Sequence, residues 1–274
     1  MRIEKLALSR ITGIAAIVTT LTLFPIAAVG QLTLAAVATT YTVTFDGTLS
    51  GVSNGAFTGT GFKPSPSTGQ LNSNAWAATG MSNGTLAFGG TETSGDFARG
   101  TSAGNVSTGG FYCFNAAAIG SRSIGIQPAA SDWTPGTLTL RMKNTTGTAL
   151  TTLDVSYKLW VNNNENRSGS FDLSYSTDNV TYTSIPALDY VSSAGSDGLG
   201  FVLNNRSTVI AGLNIANNSY VYLRWSGNDA GGTGNNRDEF ALDDISVAGN
   251  KPNLTATSLA AFGAQCISGG PYGP

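Results

Sequence analysis

Carboxylate and amide side chains are concentrated in one glycine-rich stretch of the chain, residues 228–244. The oxygen atoms of these groups are the ligands that Ca2+ prefers in proteins. Another aspartate follows a short apolar run near residue 45 and would lie beside this stretch if the first and last strands are neighbours. The sequence therefore predicts a structural Ca2+ site, with ordinary solvated loop carboxylates as the alternative. The candidate ligands are Asp46, Asp229, Asp238, Asp243 and Asp244.

A tryptophan lies on the polar side of one predicted strand. In residues 153–161 aliphatic residues occupy every second position, which leaves Trp160 and Lys158 on the opposite face. An indole exposed on a polar face would suit sugar binding, because it can stack on the C–H face of a pyranose ring. The alternative is that loops cover this face and that Trp160 is ordinary core.

The same alternation occurs in residues 219–225. If Val221, Leu223 and Trp225 face the core, the intervening tyrosines and arginine share the other face. Flat aromatic rings beside hydrogen-bonding side chains are typical of carbohydrate sites. The candidate ligand-binding residues are Trp160, Lys158, Asn162, Arg167, Tyr220, Tyr222 and Arg224.

The composition excludes several classes of function. The chain has 274 residues and no histidine, which excludes Ser-His-Asp hydrolases, zincins and other sites that need an imidazole. The formal net charge of −2 provides no basic stripe for nucleic acid. Cys113 and Cys266 allow one bridge but do not require it. Glu92, Glu165 and Glu239 suggest no acid and nucleophile pair of the kind a glycosidase uses, so we expect no intrinsic catalysis.

The periodicity predicts an all-β domain. Short alternating runs recur from residue 39 onward between clusters of Gly, Asn, Ser and Thr, without a sustained helical period. We expect residues 39–249 to form an antiparallel two-sheet jelly-roll sandwich of the concanavalin-like or galactose-binding-like kind. Strands are expected at residues 41–45, 86–88, 111–114, 123–127, 219–225 and 239–247.

Two strand pairs and one loop can also be predicted. Residues 138–142 and 153–161 are expected to pair through the turn between them, and residues 171–175 to pair with 180–185. Residues 47–84 are rich in Gly, Ser, Thr and Asn, which predicts a long loop with at most a weak strand at 75–77. Trp76 and Trp133 lie in irregular segments and are assigned no role.

The first residues resemble an export signal. Three basic residues precede an uncharged run over residues 11–30, which is typical of a secretory signal peptide. Small residues suited to cleavage precede Gln31 and Thr39, and the leader is assigned to residues 1–38. An uncleaved membrane anchor is the alternative, because the uncharged run is long enough to span. We therefore expect a secreted, extracellular chain that lies at the cell surface.

Two segments carry a resemblance to known families. FDLSYSTDNVTYTSI, residues 171–185, resembles a hairpin of secreted ligand-binding sandwiches. RDEFALDDISV, residues 237–247, is similar to the last strand of MAM-type and carbohydrate-binding-module jelly rolls. Residues 41–249 look like an accessory domain of multidomain bacterial surface proteins exported by the type IX route. Residues 250–274 resemble a linker and the opening of a truncated Ig-like module, with the disordered terminus of a complete protein as the alternative.

The resemblance implies a non-catalytic module of a secreted cell-surface protein. Such a module works by binding or adhesion, with a polysaccharide or cell-surface glycan as the expected partner and with structural Ca2+. The alternative is a structural spacer attached to a downstream secreted hydrolase or nuclease. Sandwich folds host many unrelated functions, so the site has to be argued from its own residues.

Overall fold

The computed structural model describes residues 31–251. These residues form 19 strands and two 3-10 helices, Gly95–Phe97 and Pro186–Leu188. Predictions for residues 1–30 and 252–274, including most of the leader, Cys266 and the Ig-like opening, lie outside the described residues.

The strands are β1 (Leu32–Leu34), β2 (Thr40–Val43), β3 (Ser53–Asn54), β4 (Phe62–Lys63), β5 (Gln70–Asn72), β6 (Trp76–Met81), β7 (Gly84–Leu86), β8 (Thr101–Ser102), β9 (Gly110–Phe114), β10 (Ser123–Gln127), β11 (Gly136–Asn144), β12 (Thr152–Asn162), β13 (Arg167–Ser176), β14 (Thr183–Ser184), β15 (Tyr190–Val191), β16 (Phe201–Ile210), β17 (Tyr220–Gly227), β18 (Asp229–Gly232) and β19 (Glu239–Asn250).

Two large sheets form the domain. Sheet A contains β14, β13, β17, β11, β6 and β7 in that order, with β1 beside β11 and with β15 and β18 beside β13. Sheet B contains β16, β12, β19, β10, β9 and β8, with β2 beside β19. Most neighbours are antiparallel, and β3, β5 and β4 form a separate small sheet. The predicted all-β, two-sheet sandwich is confirmed.

The core lies between the two sheets. Tyr157 on β12 and Trp225 on β17 meet edge to face across the sandwich, with ring centroids 5.7 Å apart. Burial of such large side chains is the main favourable contribution to folding, because it removes apolar surface from water. The inward positions of β12 are Leu153, Val155, Tyr157, Leu159 and Val161, the aliphatic parity of the sequence pattern.

Most predicted strands are present. β2, β9, β10, β17 and β19 match the expected runs, and β7 ends at Leu86, two residues before the expected end. The predicted hairpin of residues 171–175 with 180–185 is present, as the pairing of Tyr175 with Thr183 shows. Asn179 in its turn adopts a φ of 62°, a left-handed conformation that asparagine tolerates.

The expected pairing of residues 138–142 with 153–161 is wrong. β11 lies in sheet A between β17 and β6, whereas β12 lies in sheet B between β16 and β19. The turn between them crosses from one sheet to the other. Two inward-facing apolar strands show the same alternation whether they are neighbours in one sheet or face each other across the core.

The expected long loop at residues 47–84 is wrong in part. β6 is a full strand of sheet A, where Ala78 pairs with Leu138, and β3, β4 and β5 form the small sheet. Trp76 and Trp133, to which the sequence suggested no role, are core residues with exposures of 0% and 1%. The burial of β6 alternates, with Trp76 and Ala78 buried and Thr79 exposed, but its alanine and glycine residues give little contrast in hydrophobicity along the sequence.

Several strands were not predicted, among them β16 and β1. β16 is an edge strand that pairs only with β12, and its central residues are polar and partly exposed, so it lacks an alternating pattern. β1 falls within the segment assigned to the leader, yet it pairs in parallel with β11 and its residues Leu32 and Leu34 are buried in the core.

Candidate functional site

β17 presents aromatic and cationic side chains on the outer face of sheet A. Val221, Leu223 and Trp225 belong to the core, so Tyr220, Tyr222 and Arg224 point to the other side, as predicted from alternation. Strand pairing extends this row, because Lys143 lies opposite Tyr220 and Arg141 opposite Tyr222 on β11.

Each of the three cations on this face lies against an aromatic ring. The Arg141 guanidinium is 4.5 Å from the ring centroid of Phe88 and 5.0 Å from that of Tyr220. The Lys143 ammonium is 5.9 Å from the Tyr220 centroid. Stacking of this kind holds long basic side chains in defined positions while leaving their charge in place.

Of the three cations, Arg224 makes the shortest contact with an aromatic ring. Its guanidinium carbon lies 3.4 Å from the ring centroid of Tyr182, and its Nε donates a hydrogen bond to Thr139 Oγ1 at 3.1 Å. Tyr182 is itself held by a hydrogen bond from its hydroxyl to Asn179 Oδ1. Partial burial raises the pKa of Tyr182, and the neighbouring Arg224 opposes that shift.

We call this surface the cationic aromatic face, defined as Phe88, Arg141, Lys143, Tyr182, Tyr220, Tyr222 and Arg224. Beside Arg224 and Phe88 it contains a shallow groove, lined also by Thr79, Thr137 and Asn179. None of its three cations forms an ion pair with a carboxylate among residues 31–251. The face therefore offers positive charge beside partly exposed aromatic rings, of which Tyr222 is 8% exposed.

Sequence reasoning found three members of this face and missed four. Arg141 and Lys143 occupy the polar parity of a predicted strand, so the alternation of β11 contained a signal for them. Phe88 and Tyr182 lie in the runs 86–88 and 180–185 that the sequence predicts as strands, but β7 ends before Phe88 and β14 begins after Tyr182, so strand alternation does not assign either to this face. They reach the face only because the chain folds β6, β7 and β13 beside β11 and β17.

Trp160 lies on the outer face of the other sheet, far from this site. It packs on a second apolar cluster formed by Tyr112, Phe114, Ile119, Phe201 and Ala241. Val106 and Ala116, from the loops before and after β9, also contact this cluster. These contacts cover Trp160 in part: the residue is half-buried and its indole Nε1 is buried, while the side chain of Lys158 on the same face of β12 is 40% exposed.

The other predicted ligand-binding residues of β12 and β13 have partners within the protein. Lys158 Nζ forms a 2.7 Å ion pair with Asp244 Oδ2. Asn162 Nδ2 donates to Glu239 Oε2 at 2.7 Å. Arg167 binds both carboxylate oxygens of Asp229 at 2.6–2.7 Å. These residues do not join the cationic aromatic face, so the predicted set is divided between the two sheets.

The predicted Ca2+ ligands do not form one cluster. Asp229 binds Arg167 and Arg237, and these partners lower its pKa. Asp46 accepts a hydrogen bond from the Arg122 backbone, and Asp238 accepts one from the Glu165 backbone. Among residues 31–251, no group of three or more aspartate, glutamate or cysteine side chains is placed to hold a metal ion.

Asp243 and Asp244 would point to opposite faces in a regular strand, but β19 is irregular at this point. Asp244 has a φ of 47°, and the pairing register between β19 and β12 shifts beside it. This bulge adds one residue, so Leu242 and Ile245 both reach the core. Asp243 accepts a 2.6 Å hydrogen bond from Ser121 while Asp244 pairs with Lys158, and both contacts lie outside the core.

Lowering the pH from 7 to 5 in the presence of a chelator should raise the melting temperature. Burial raises the pKa of Asp243 from 3.8 to about 6, and its exposure is 1%. Between these values the folded state binds more protons than the unfolded state, so stability falls as pH rises. From pH 7 to pH 5 the gain in stability is about 1–1.5 kcal/mol, because only part of the titration between the two pKa values falls within this range.

Calorimetric melting curves across this pH range measure the effect. Asp243→Asn removes the titrating group and should make the slope shallower, while burial of Asp238 and Glu239 maintains a slope of the same sign. Equal slopes in the two proteins would contradict the assignment to Asp243.

The comparisons with known proteins are as follows. No protein-family model matches the chain, and no curated protein matches it. The K1 cleaved adhesin domain of Lys-gingipain from Porphyromonas gingivalis W83 aligns at 12% identity over 78% of this chain and 99% of that chain, with a TM-score of 0.38. The non-crystalline cellulose specific carbohydrate-binding module CBM28 aligns at 10% identity over 52% and 80%, with a TM-score of 0.32.

A third solved structure is the N-terminal cellulose-binding domain of Cellulomonas fimi β-1,4-glucanase C. It aligns at 12% identity over 65% of this chain and 90% of that chain, with a TM-score of 0.31. These similarities assign the chain to no family, and what the described residues show is an all-β sandwich with a cationic aromatic surface on sheet A.

Proposed function

We propose that this chain is a secreted, non-catalytic module that binds acidic polysaccharide through the cationic aromatic face. The observation that carries the proposal is the arrangement of Arg141, Lys143 and Arg224. All three lie against aromatic rings on one sheet face, and none pairs with a carboxylate among residues 31–251. A sugar chain that carries carboxylate or sulfate groups would supply the missing negative charge.

The two kinds of side chain on this face have complementary roles. Tyrosine and phenylalanine rings offer flat apolar surfaces on which the C–H face of a sugar can stack. Guanidinium groups donate paired hydrogen bonds to carboxylate or sulfate oxygens, and such charged bonds are stronger than neutral ones. The whole chain has a net charge of −2, so this positive surface is local.

The face supports binding rather than catalysis. Hydrolysis of a glycosidic bond needs two carboxyl groups on either side of the bond. The polar side chains that line the groove are threonines, Asn179 and Arg224, and none of its lining residues is a carboxylate. Glu239, a carboxyl candidate from the sequence, is fully buried on the other sheet and accepts three hydrogen bonds from the protein.

Affinity electrophoresis tests the proposed function directly. The purified chain is run through gels that contain polygalacturonate, a sulfated polysaccharide or neutral cellulose derivatives. We expect retardation by the acidic polymers, weakening as ionic strength rises because salt screens the charges. Retardation by the neutral polymer alone would replace the charge argument with stacking. No retardation by any polymer would favour the alternative of a structural spacer.

If the leader is removed during secretion, the structure predicts where the mature chain begins. Within residues 31–251, no helix is long and apolar enough to cross a membrane. Of the two cleavage sites suggested by the sequence, the one before Gln31 preserves β1, whereas the one before Thr39 removes it. Leu32 and Leu34 are 2% and 0% exposed, so losing both would cost about 4–10 kcal/mol.

Mass spectrometry of the secreted protein identifies the N-terminal peptide. We expect a peptide that begins at Gln31. A stable secreted chain that begins at Thr39 would show that β1 is dispensable and that the leader extends to residue 38.

A further inference from the structure

Asp238, the residue before β19, is a buried carboxylate with an unused oxygen. It is 0% exposed. Its Oδ1 accepts a hydrogen bond from the Glu165 backbone at 3.0 Å, while its Oδ2 is buried without a hydrogen-bond partner. Glu239, the next residue, shows the contrast, because three N–H donors satisfy its two oxygens. A buried polar oxygen without a donor is costly unless something binds it.

Asn163, in the loop between β12 and β13, has a second oxygen of this kind. Its Nδ2 donates to the Gly195 carbonyl at 2.9 Å, which determines the orientation of the amide. The amide oxygen Oδ1 is therefore directed elsewhere, and it is buried without a partner. The Asn163 carbonyl also accepts a hydrogen bond from the Asp197 backbone at 3.0 Å, which brings the 195–197 loop beside this segment.

The surrounding charge is negative. Glu165 and Asp197 both add to the rise in the pKa of Asp238 that burial causes, so they lie near its carboxylate. The Ser192 side chain opposes the rise because its hydroxyl lies within hydrogen-bonding reach of the Asp238 carboxylate, although that hydroxyl also lies 3.4 Å from the Gly169 carbonyl. Arg237, which precedes Asp238 in the sequence, forms its ion pair with Asp229 instead. A buried carboxylate beside two more carboxylates needs a proton or a cation.

We propose that Asp238 Oδ2 and Asn163 Oδ1 bind a Ca2+ ion at the end of the sandwich where the β12–β13 loop meets β19. Hard oxygen ligands that include a neutral amide suit Ca2+, and waters or backbone carbonyls complete its six to eight ligands. Glu165 and Asp197 add negative charge at longer range. With few protein ligands the affinity falls in the range of extracellular modules, with Kd about 0.1–1 mM.

The bound ion would join three segments that are distant in sequence. These are the β12–β13 loop, the 192–197 loop and the start of β19. The ion binds the folded state only, so it stabilises the domain by mass action. Saturating Ca2+ should raise the melting temperature by about 5–10 °C relative to chelator.

Calorimetric melting and titration of the purified chain with CaCl2 test the site. Asp238→Asn should abolish the melting shift. Asn163→Ala should weaken Ca2+ affinity about 10-fold or more. Asp197→Asn should weaken it about 2- to 3-fold, because this exposed carboxylate acts at longer range and is partly screened, and its variant should fold normally. Asp229→Asn and Asp243→Asn are matched controls that remove one carboxylate elsewhere, and both should retain the shift.

Three outcomes would overturn the site. One is a wild-type melting temperature that CaCl2 does not change. Another is a shift that Asp243→Asn abolishes and Asp238→Asn keeps, which would place the ion at the bulge of β19. If Asp238→Asn does not fold, the other two variants decide, and wild-type affinity in both would reject the proposal. None of these measurements depends on glycan binding.

Discussion

Replacing Arg141 and Arg224 together by alanine should abolish retention by acidic polysaccharide and leave the fold intact. Both guanidinium groups lie on the outer face of sheet A against aromatic rings, without carboxylate partners among the described residues. A hydrogen bond to a charged group contributes about 1.5–3 kcal/mol. That range corresponds to roughly 10-fold to 150-fold in affinity for each arginine.

Lys158→Ala provides the matched control for the loss of charge. Lys158 lies on the outer face of sheet B and is paired with Asp244, so its removal should not change retention. Arg224→Lys separates charge from geometry, because an ammonium keeps the charge but cannot form the bidentate bond of a guanidinium. We expect intermediate retention for that variant. Equal retention of the double variant and the wild-type chain would show that the ligand binds elsewhere.

Replacing Trp160 by alanine should lower stability and leave glycan retention unchanged. The indole packs on the cluster of Tyr112, Phe114 and Phe201, and its Nε1 is buried. Truncation of a large aromatic side chain leaves a cavity, and for this half-buried tryptophan we expect a loss of about 2–4 kcal/mol. The melting temperature should fall by roughly 5–15 °C.

Trp160→Phe is the conservative control for this experiment. It keeps an aromatic ring against the cluster and should recover most of the lost stability. Melting curves and affinity electrophoresis on the same preparations provide both readouts. An unchanged melting temperature with lost retention would reverse the conclusion and make Trp160 part of the binding surface.

The tryptophan shows why part of the site could not be predicted. Alternation in residues 153–161 places Trp160 opposite the aliphatic positions, and the structure agrees on that point. Whether this second face meets solvent depends on the loops around β9, which are distant in sequence. Their contacts come from tertiary packing, and no local pattern in either segment records them.

The amino-acid sequence by itself determined the fold class and the faces of single strands. A β-strand directs successive side chains to opposite sides, so apolar alternation identifies the inward residues of β11, β12 and β17. The absence of histidine likewise excluded imidazole chemistry from the sequence alone. The tertiary structure decided which strands are neighbours. It placed Arg141 beside Tyr222 and put Trp160 on the opposite sheet. It also added the bulge at Asp244. These features depend on pairing between residues far apart in the chain, and such pairing is selected by the packing of the whole sandwich rather than by any local segment.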